Sequence, residues 1–288
     1  MFSRKHMNVW ARAVAATSLA AVLVASSAVP AFASLSGSLK LGGSTTVQPL
    51  AQLLANAFHT ANKNVDITVA GGGSGVGISG ALDGTWNIGM SSNTLAQANL
   101  DSGLVPTAMA KDALTVVVNK KNKIKKLTFN QCKGIWTGSI TNWKQVGGVD
   151  HKIDVTGRAA GSGTGDYWNK NVMGDSDGKS PWTGGTSPTL VSTIKTYDSN
   201  GELRNAVASD KYAVGYVGMA YATSKVRGIK FNGYLATRSN AKSGKYKLVR
   251  KLWWVSNGDP SGLAKSFINY SLSTKGQALV NKLYMSLK

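Results

Sequence analysis

The chain has one cysteine, Cys132, which excludes an intramolecular disulfide and any cysteine-based metal cluster. Stability must come from a core, and 288 residues are enough for two modest domains or one large one. Histidine is scarce, and His59 and His151 stand in unrelated contexts with no ligand-like spacing. Only 13 acidic residues are present, with no evident carboxylate pair for hydrolysis and no ligand set for a metal-dependent hydrolase. No GxxxxGK[ST] occurs. The glycines Gly71, Gly73, Gly75 and Gly77 have the wrong spacing for a dinucleotide fingerprint, and no acidic residue follows a second strand at the expected distance. Ser176-Asp-Gly-Lys179 matches SxxK in a polar loop without companion motifs. These absences point to a binding protein, not an enzyme, with neither metal nor cofactor expected.

No apolar run reaches the roughly 20 strongly apolar residues that a membrane span prefers. The nearest is the Ala-rich stretch Ala13 to Val29, preceded by Arg4, Lys5 and Arg12 and followed by Ala31-Phe32-Ala33. Residues 1–33 read as a secretory signal peptide cleaved after Ala33, so a secreted or periplasmic location is expected. Without those residues, 30 basic residues face 13 acidic ones, a balance of +17. Such charge attracts anions, nucleic acid or acidic surfaces. The lysines are scattered, however, and the one dense cluster, Lys120 to Lys126, has no interleaved aromatics. It reads as a solvated loop, and no specific nucleic-acid partner is expected.

What the chain does have is a repeated device: a strand feeding a glycine- and hydroxyl-rich loop that opens a helix. Leu39-Lys-Leu-Gly-Gly reads as a strand, then Ser44-Thr45-Thr46, then a helix with Leu50, Leu53, Leu54, Ala57 and Phe58 on one face. Ser44 or Thr45 suits its N-cap, with Pro49 in the first turn. Val65, Ile67 and Val69 alternate as a strand ahead of Gly73-Ser74-Gly75 and a short helix. Trp86 to Met90 is a third strand, ending at Ser91-Ser92-Asn93, where open α/β sheets bind ligands. Leu114 to Asn119 is a β-branched strand, and Val155 leads into Gly157-Arg158-Ala-Ala-Gly-Ser162-Gly163-Thr164-Gly and a helix. Helix N-termini offer free N–H groups and a positive dipole end, and arginine offers a bidentate fork for an oxyanion. Strands at Val214 to Val217 and Tyr246 to Val255, a helix from Asn200 to Val207 and two closing helices within Gly262 to Leu287 complete the pattern. The alternation of strands and helices argues for an α/β fold with mainly parallel sheets.

The segments GSTTVQPL, GGGSGVGI, NIGMSSN, IWTGSITNWKQVGG, RAAGSGTGDYW and NGELRNAVASDKYAVGYVG stand in this order across nearly the whole chain after residue 33. The set resembles the periplasmic phosphate-binding proteins of phosphate ABC transporters. The resemblance implies two α/β lobes, each a mainly parallel sheet flanked by helices, with the ligand in the cleft between them. It implies lobe 1 at 34–117, lobe 2 at 118–228 and a return to lobe 1 at 229–288. It also implies a monomer that passes inorganic phosphate to ABC permease subunits. Carried over, the phosphate-binding residues are Thr45, Thr46, Ser74, Ser92, Arg158, Ser162, Gly163 and Thr164. Two departures stand out. Ser92 occupies a position where the family often has an acid that accepts from protonated phosphate, and Ala160 replaces an aspartate near the arginine. Looser discrimination against sulfate is therefore expected, with Asp83 and Asp166 as candidate substitutes for the missing acid. Alternatives are a receptor for another oxyanion (sulfate-like) or small ligand on the same fold, and a basic extracellular adhesin or nucleic-acid binder.

Overall fold

The structure, a computed structural model, describes residues 35–174 and 189–287. The expected signal peptide and the SxxK segment at Ser176–Lys179 lie outside the described residues. Among the described residues, no helix is long and apolar enough to cross a membrane.

The first part of the chain builds three parallel strands with helices between them. Strand β1 (Gly37–Gly43) leads to helix α1 (Gln48–Ala61), then to β2 (Val65–Gly72), α2 (Ser74–Leu82) and β3 (Ile88–Ser91), with β1 central between β2 and β3. Helix α1 buries Leu50, Leu54 and Phe58 as its periodicity predicts, together with Ala51 and Ala55, while Leu53 and Ala57 are only half-buried. The expected cap is met by Ser44 and not by Thr45. The regular helix begins after Val47, which has no side-chain cap bond, but Ser44 Oγ accepts from the Val47 N–H at 3.4 Å and the Ser44 carbonyl accepts from the Gln48 N–H, so Ser44 opens the turn that leads into the helix. Pro49 presets the first turn, and Thr45 and Thr46 are left free for other work.

Helix α2 lies almost on the sheet. A Cβ placed on Gly89 would sit 2.1 Å from the Gly77 carbonyl oxygen, and one on Gly77 would sit 2.4 Å from that of Met90. Both neighbours are backbone, so neither can rotate away. Gly89→Ala is expected to destabilise the fold by about 2 kcal/mol, the overpacking range. That corresponds to a Tm lower by about 5 °C; a melting curve superimposable on that of the natural chain would refute this packing argument.

A short helix α3 (Gln97–Asp101) leads into β4 (Leu104–Asn119), which is far longer than the β-branched run predicted. Its first part pairs with β11 (Val249–Asn257) from Leu104 to Ala113, and its last part pairs with β8 (Ala213–Gly218) from Leu114 to Val118. Both pairings are antiparallel. The sheet is therefore mixed, not simply parallel: two long strands running in opposite directions carry the chain out of the first set of strands and back.

The second part adds β5 (Lys126–Leu127), α4 (Phe129–Thr137), β6 (Asp154–Arg158), α5 (Gly163–Trp168), β7 (Lys195–Tyr197) and α6 (Asn200–Ser209) before β8. Helix α4 begins six residues before Ile135, at a reciprocal cap between Thr128 and Gln131, and ends at Gly138 with φ 85°. After β8 come β9 (Val226–Gly228), β10 (Lys230–Phe231) and α7 (Arg238–Lys242), and after β11 the closing helices α8 (Gly262–Leu272) and α9 (Thr274–Leu283). The main sheet runs β2-β1-β3-β11-β4-β8-β6-β7, with β9 also on β4.

Two main apolar clusters result. One joins α1, β1, β3, β11 and the closing helices around Leu41, Leu54, Trp254 and Phe267. The other gathers Trp136, Trp143, Trp168 and Tyr216, and takes in Ile229, Phe231, Tyr246 and Leu248 from beyond β9. Tyr246 precedes β11 instead of opening it, and donates its hydroxyl to the Leu114 carbonyl. The cluster Lys120 to Lys126 is a turn and loop that runs into β5 at Lys126, and every lysine in it is exposed.

Candidate functional site

Four loops meet where β1, β2, β3 and β6 end. Thr45 and Thr46 follow β1, Ser74 opens α2, Ser92 follows β3, and Arg158 ends β6 ahead of Ser162, Gly163 and Thr164. All eight positions are buried, Arg158 being the most exposed at 8%. The loops touch across the two parts of the chain. Thr46 Oγ1 lies 2.8 Å from Thr164 Oγ1, and the Gly75 N–H donates to the Gly161 carbonyl at 3.0 Å. A Cβ on Gly163 would come 2.4 Å from Ser74 Oγ and 3.0 Å from Ser92 Oγ, so only glycine lets these loops close this far.

Local structure explains each position. Ser162 caps α5 by accepting from the Gly165 N–H at 3.2 Å. Ser74 Oγ accepts from the Ser92 N–H at 3.0 Å and lies 3.3 Å from Ser92 Oγ. The Thr45–Thr46 loop is pinned from behind: Tyr221 donates to the Thr45 carbonyl at 2.6 Å, and Tyr284 donates to that of Thr46. Burial raises both phenol pKa values, keeping them as neutral donors.

Arg158 is the electrostatic centre. No aspartate neutralises it; instead Nε donates to the Tyr197 carbonyl at 3.1 Å, and Nη2 to the Asp198 carbonyl at 2.8 Å and to Thr45 Oγ1 at 3.3 Å. Main-chain oxygens thus hold the fork rigid without cancelling its charge. Burial pulls its pKa down to about 10, which still leaves a cation at neutral pH. Its Nη1 is buried with no hydrogen-bond partner among the described residues. Leaving a buried donor unmet costs about 1–3 kcal/mol, more when it is charged.

Three residues that the sequence did not single out complete the site. Asn200, fully buried at the start of α6, donates to Thr45 Oγ1 and Thr46 Oγ1. Arg250 on β11 pairs with Asp112 on β4 at 2.9 Å, with both side chains almost inaccessible. Arg250 also donates to Thr164 Oγ1 at 2.9 Å, Thr46 Oγ1 at 3.2 Å and the Gly163 carbonyl at 3.0 Å. Asp112 neutralises Arg250, so the net charge left at the centre is that of Arg158. The alternation Arg250, Leu252, Trp254 on one strand was a signal: a charged residue in phase with core positions.

Of the acidic candidates, Asp83 does not reach the site: it closes the far end of α2, is exposed, and accepts from the Thr85 N–H. Asp166 on α5 is exposed as a residue, but its carboxyl accepts from the Asn93 side chain beside Ser92 and interacts with the Arg250 charge, and desolvation raises its pKa. The buried carboxylate among these residues, Asp112, is spent on Arg250 and the Met219 N–H. Among the described residues, no group of three or more His, Cys, Asp or Glu could hold a metal.

The fold is that of the two-lobe periplasmic binding proteins, and hydroxyls, helix N-termini and one unneutralised guanidinium meet at the point where strand ends converge. A family model described as the PBP superfamily domain matches residues 28–275. The chain is 32% identical to the phosphate-binding protein PstS of Bacillus subtilis over 239 residues, 82% of this chain and 75% of that protein. It also matches the structure of a Clostridium perfringens protein assigned as a phosphate ABC transporter substrate-binding protein, with phosphate bound. There the TM-score is 0.80 at 33% identity, covering 88% of this chain and all of that one. An ABC-type phosphate transport receptor from Vibrio cholerae gives a TM-score of 0.68 at 30% identity, covering 86% and 99%. The chain belongs to the PBP superfamily and, within it, to the family of the PstS proteins.

Proposed function

We propose that this protein captures inorganic phosphate in the space ringed by Thr45, Thr46, Ser74, Ser92, Arg158, Ser162, Gly163 and Thr164, and delivers it to an ABC permease. One observation carries the reading: a buried guanidinium nitrogen, Nη1 of Arg158, has no acceptor among the described residues, in a site lined otherwise by hydroxyls, helix N-termini, the Asn200 amide and an Arg250 already paired with Asp112. Desolvating an oxyanion is costly unless each oxygen meets a donor. Neutral O–H and N–H groups and one fork meet it without a compensating acid. The kinship with PstS proteins, and with a structure that holds phosphate, supports the same ligand.

The lobes expected at 34–117, 118–228 and 229–288 belong to this proposal. The change of β4 partner between Ala113 and Leu114 supports a first boundary close to the expected one. The packing of Phe231, Tyr246 and Leu248 supports moving the return from 229 to about Val249. The protein works as an exported monomer without catalysis, and lobe closure over the anion is the signal the permease reads.

A second reading, a sulfate-like oxyanion, is favoured by Ser92, because no free carboxylate stands there to reject a fully deprotonated anion. Isothermal titration with phosphate and sulfate separates the two. Phosphate binding is expected with a dissociation constant in the micromolar range or tighter, about −8 kcal/mol or more favourable. Thermal unfolding gives a second readout: phosphate at a hundred times that constant adds about 2.7 kcal/mol of stability. Added sodium chloride should change this affinity little, because the site is buried, whereas a surface polyanion contact would weaken steeply. Sulfate binding without phosphate binding would overturn the first reading in favour of the second.

A further inference from the structure

Six hydroxyls belong to the proposed anion site, and each has one hydrogen to give and two lone pairs to receive with. The direction each points decides what the site can hold, and the buried groups behind them set that direction. Asn200 comes first. The Gly218 N–H, which can only donate, reaches Asn200 Oδ1 at 3.1 Å, and this settles which end of the amide faces which way. Nδ2 therefore faces the threonines, giving one hydrogen to Thr45 Oγ1 at 3.1 Å and the other to Thr46 Oγ1 at 2.9 Å.

Further donors fill what remains. Thr45 Oγ1 also receives Arg158 Nη2 at 3.3 Å and the main-chain N–H of Asn200 at 3.4 Å. Thr46 Oγ1 also receives Arg250 Nη2 at 3.2 Å. None of these nitrogens can accept. Both threonines have their acceptor capacity occupied and can use their hydroxyls only to donate. The contact between Thr46 and Thr164 then has one direction, from Thr46. Thr164, already receiving Arg250 Nη2 at 2.9 Å, must pass its own hydrogen onward. The serines differ. Ser74 receives the Ser92 N–H, and Ser162 receives the Gly165 N–H. Each of these keeps a lone pair, and the Ser74–Ser92 contact can run either way.

We propose that Asn200 is a positioning residue that sets the protonation pattern the site accepts. It makes the threonine and arginine side donor-only, so a protonated ligand oxygen is confined to Ser74, Ser92 and Ser162 while bare oxygens face Thr45, Thr164 and Arg158. This rests on the phosphate reading above. It explains how the site can orient a partly protonated anion with a serine, not a carboxylate, at position 92.

The test is Asn200→Leu, which keeps the branched shape and removes both side-chain donors, titrated with phosphate and with sulfate at neutral pH. Thr45 still receives Arg158 Nη2 and the main-chain N–H of residue 200, but Thr46 keeps only Arg250 as a donor, so its contact with Thr164 can reverse and Thr164 can then accept from a protonated phosphate oxygen, whereas sulfate has no proton to offer. Both ions bind more weakly, and sulfate loses about tenfold more than phosphate, the worth of one hydrogen bond. If Asn200 serves only to pack α6 against β8, both affinities fall by the same factor, and that result overturns the proposal. Neutron diffraction on deuterated natural protein locates the hydroxyl hydrogens without any variant. Deuterons on Thr45 Oγ1 and Thr46 Oγ1 are expected to point away from Asn200; a deuteron on either pointing at Asn200 overturns it. A natural chain that binds neither ion refutes the phosphate reading, while the neutron map still decides the hydroxyl directions.

Discussion

Replacing Arg158 with alanine is expected to weaken phosphate binding by more than a hundredfold, about 3 kcal/mol, while leaving the fold intact. Hydrogen bonds to a charged group contribute about 1.5–3 kcal/mol each, and Nη1 is free to contact the anion. The alanine variant also strips the site of its unneutralised charge. Arg158→Lys isolates the geometric part. It restores a cation but not the planar fork that the Tyr197 and Asp198 carbonyls hold in place, so a loss of about tenfold remains. Isothermal titration of both variants, with circular dichroism as the control for folding, measures this. Unchanged affinity in the alanine variant would mean the anion sits elsewhere.

The second large effect concerns stability. Asp112→Leu leaves Arg250 buried without its counter-ion, on a side chain only 3% exposed. Breaking a buried pair on one side costs about 3–5 kcal/mol, a fall in Tm of about 10 °C for a chain of this size. The double variant Asp112→Leu with Arg250→Met should recover most of that stability, because an apolar pair of similar volume often matches a buried ion pair. Phosphate affinity should not recover with it, since Thr164 and Thr46 lose the Arg250 donor. Denaturant unfolding and titration on the three variants decide this. A double variant no more stable than the single would show that the pair does more than balance charge. These residues lie on β4 and β11, the two long strands shared by both parts of the sheet, so the ion pair ties the site to the connection itself.

Much of this site was legible in the chain. Glycine beside serine or threonine at the end of a strand has a local meaning: the loop must turn tightly and expose N–H groups as a helix begins. Ser74, Ser92 and the run Ser162 to Thr164 all obey that logic, and each stands in such a loop. Arg158 was legible because the same loop carries it. Asn200 and Arg250 were not. Asn200 looks like an ordinary residue at a helix start, and only the Gly218 N–H and two threonines from a loop 155 positions away reveal its direction. Arg250 sits in a strand alternation where its phase marks it as inward, but its partner Asp112 lies 138 residues earlier. The capping expectation held for Ser44, which accepts from the Val47 N–H, and not for Thr45, for a related reason. Ser44 and Thr45 are good caps by local preference, yet Thr45 and Thr46 are drawn into long-range bonds with Arg158, Asn200 and Arg250.

By itself the sequence determined what is local: the strand and helix alternation, the glycine–hydroxyl loops, and the single arginine among them. Periodicity and turn chemistry act over a few residues, so they can be read from a few residues. Only the tertiary structure decided the mixed sheet, the long shared strands β4 and β11, the Asp112–Arg250 pair and the side of Asn200 that meets the threonines. Those depend on which segments come together across a hundred residues or more. Burial there removes water and makes each donor and acceptor find a partner from distant parts of the chain.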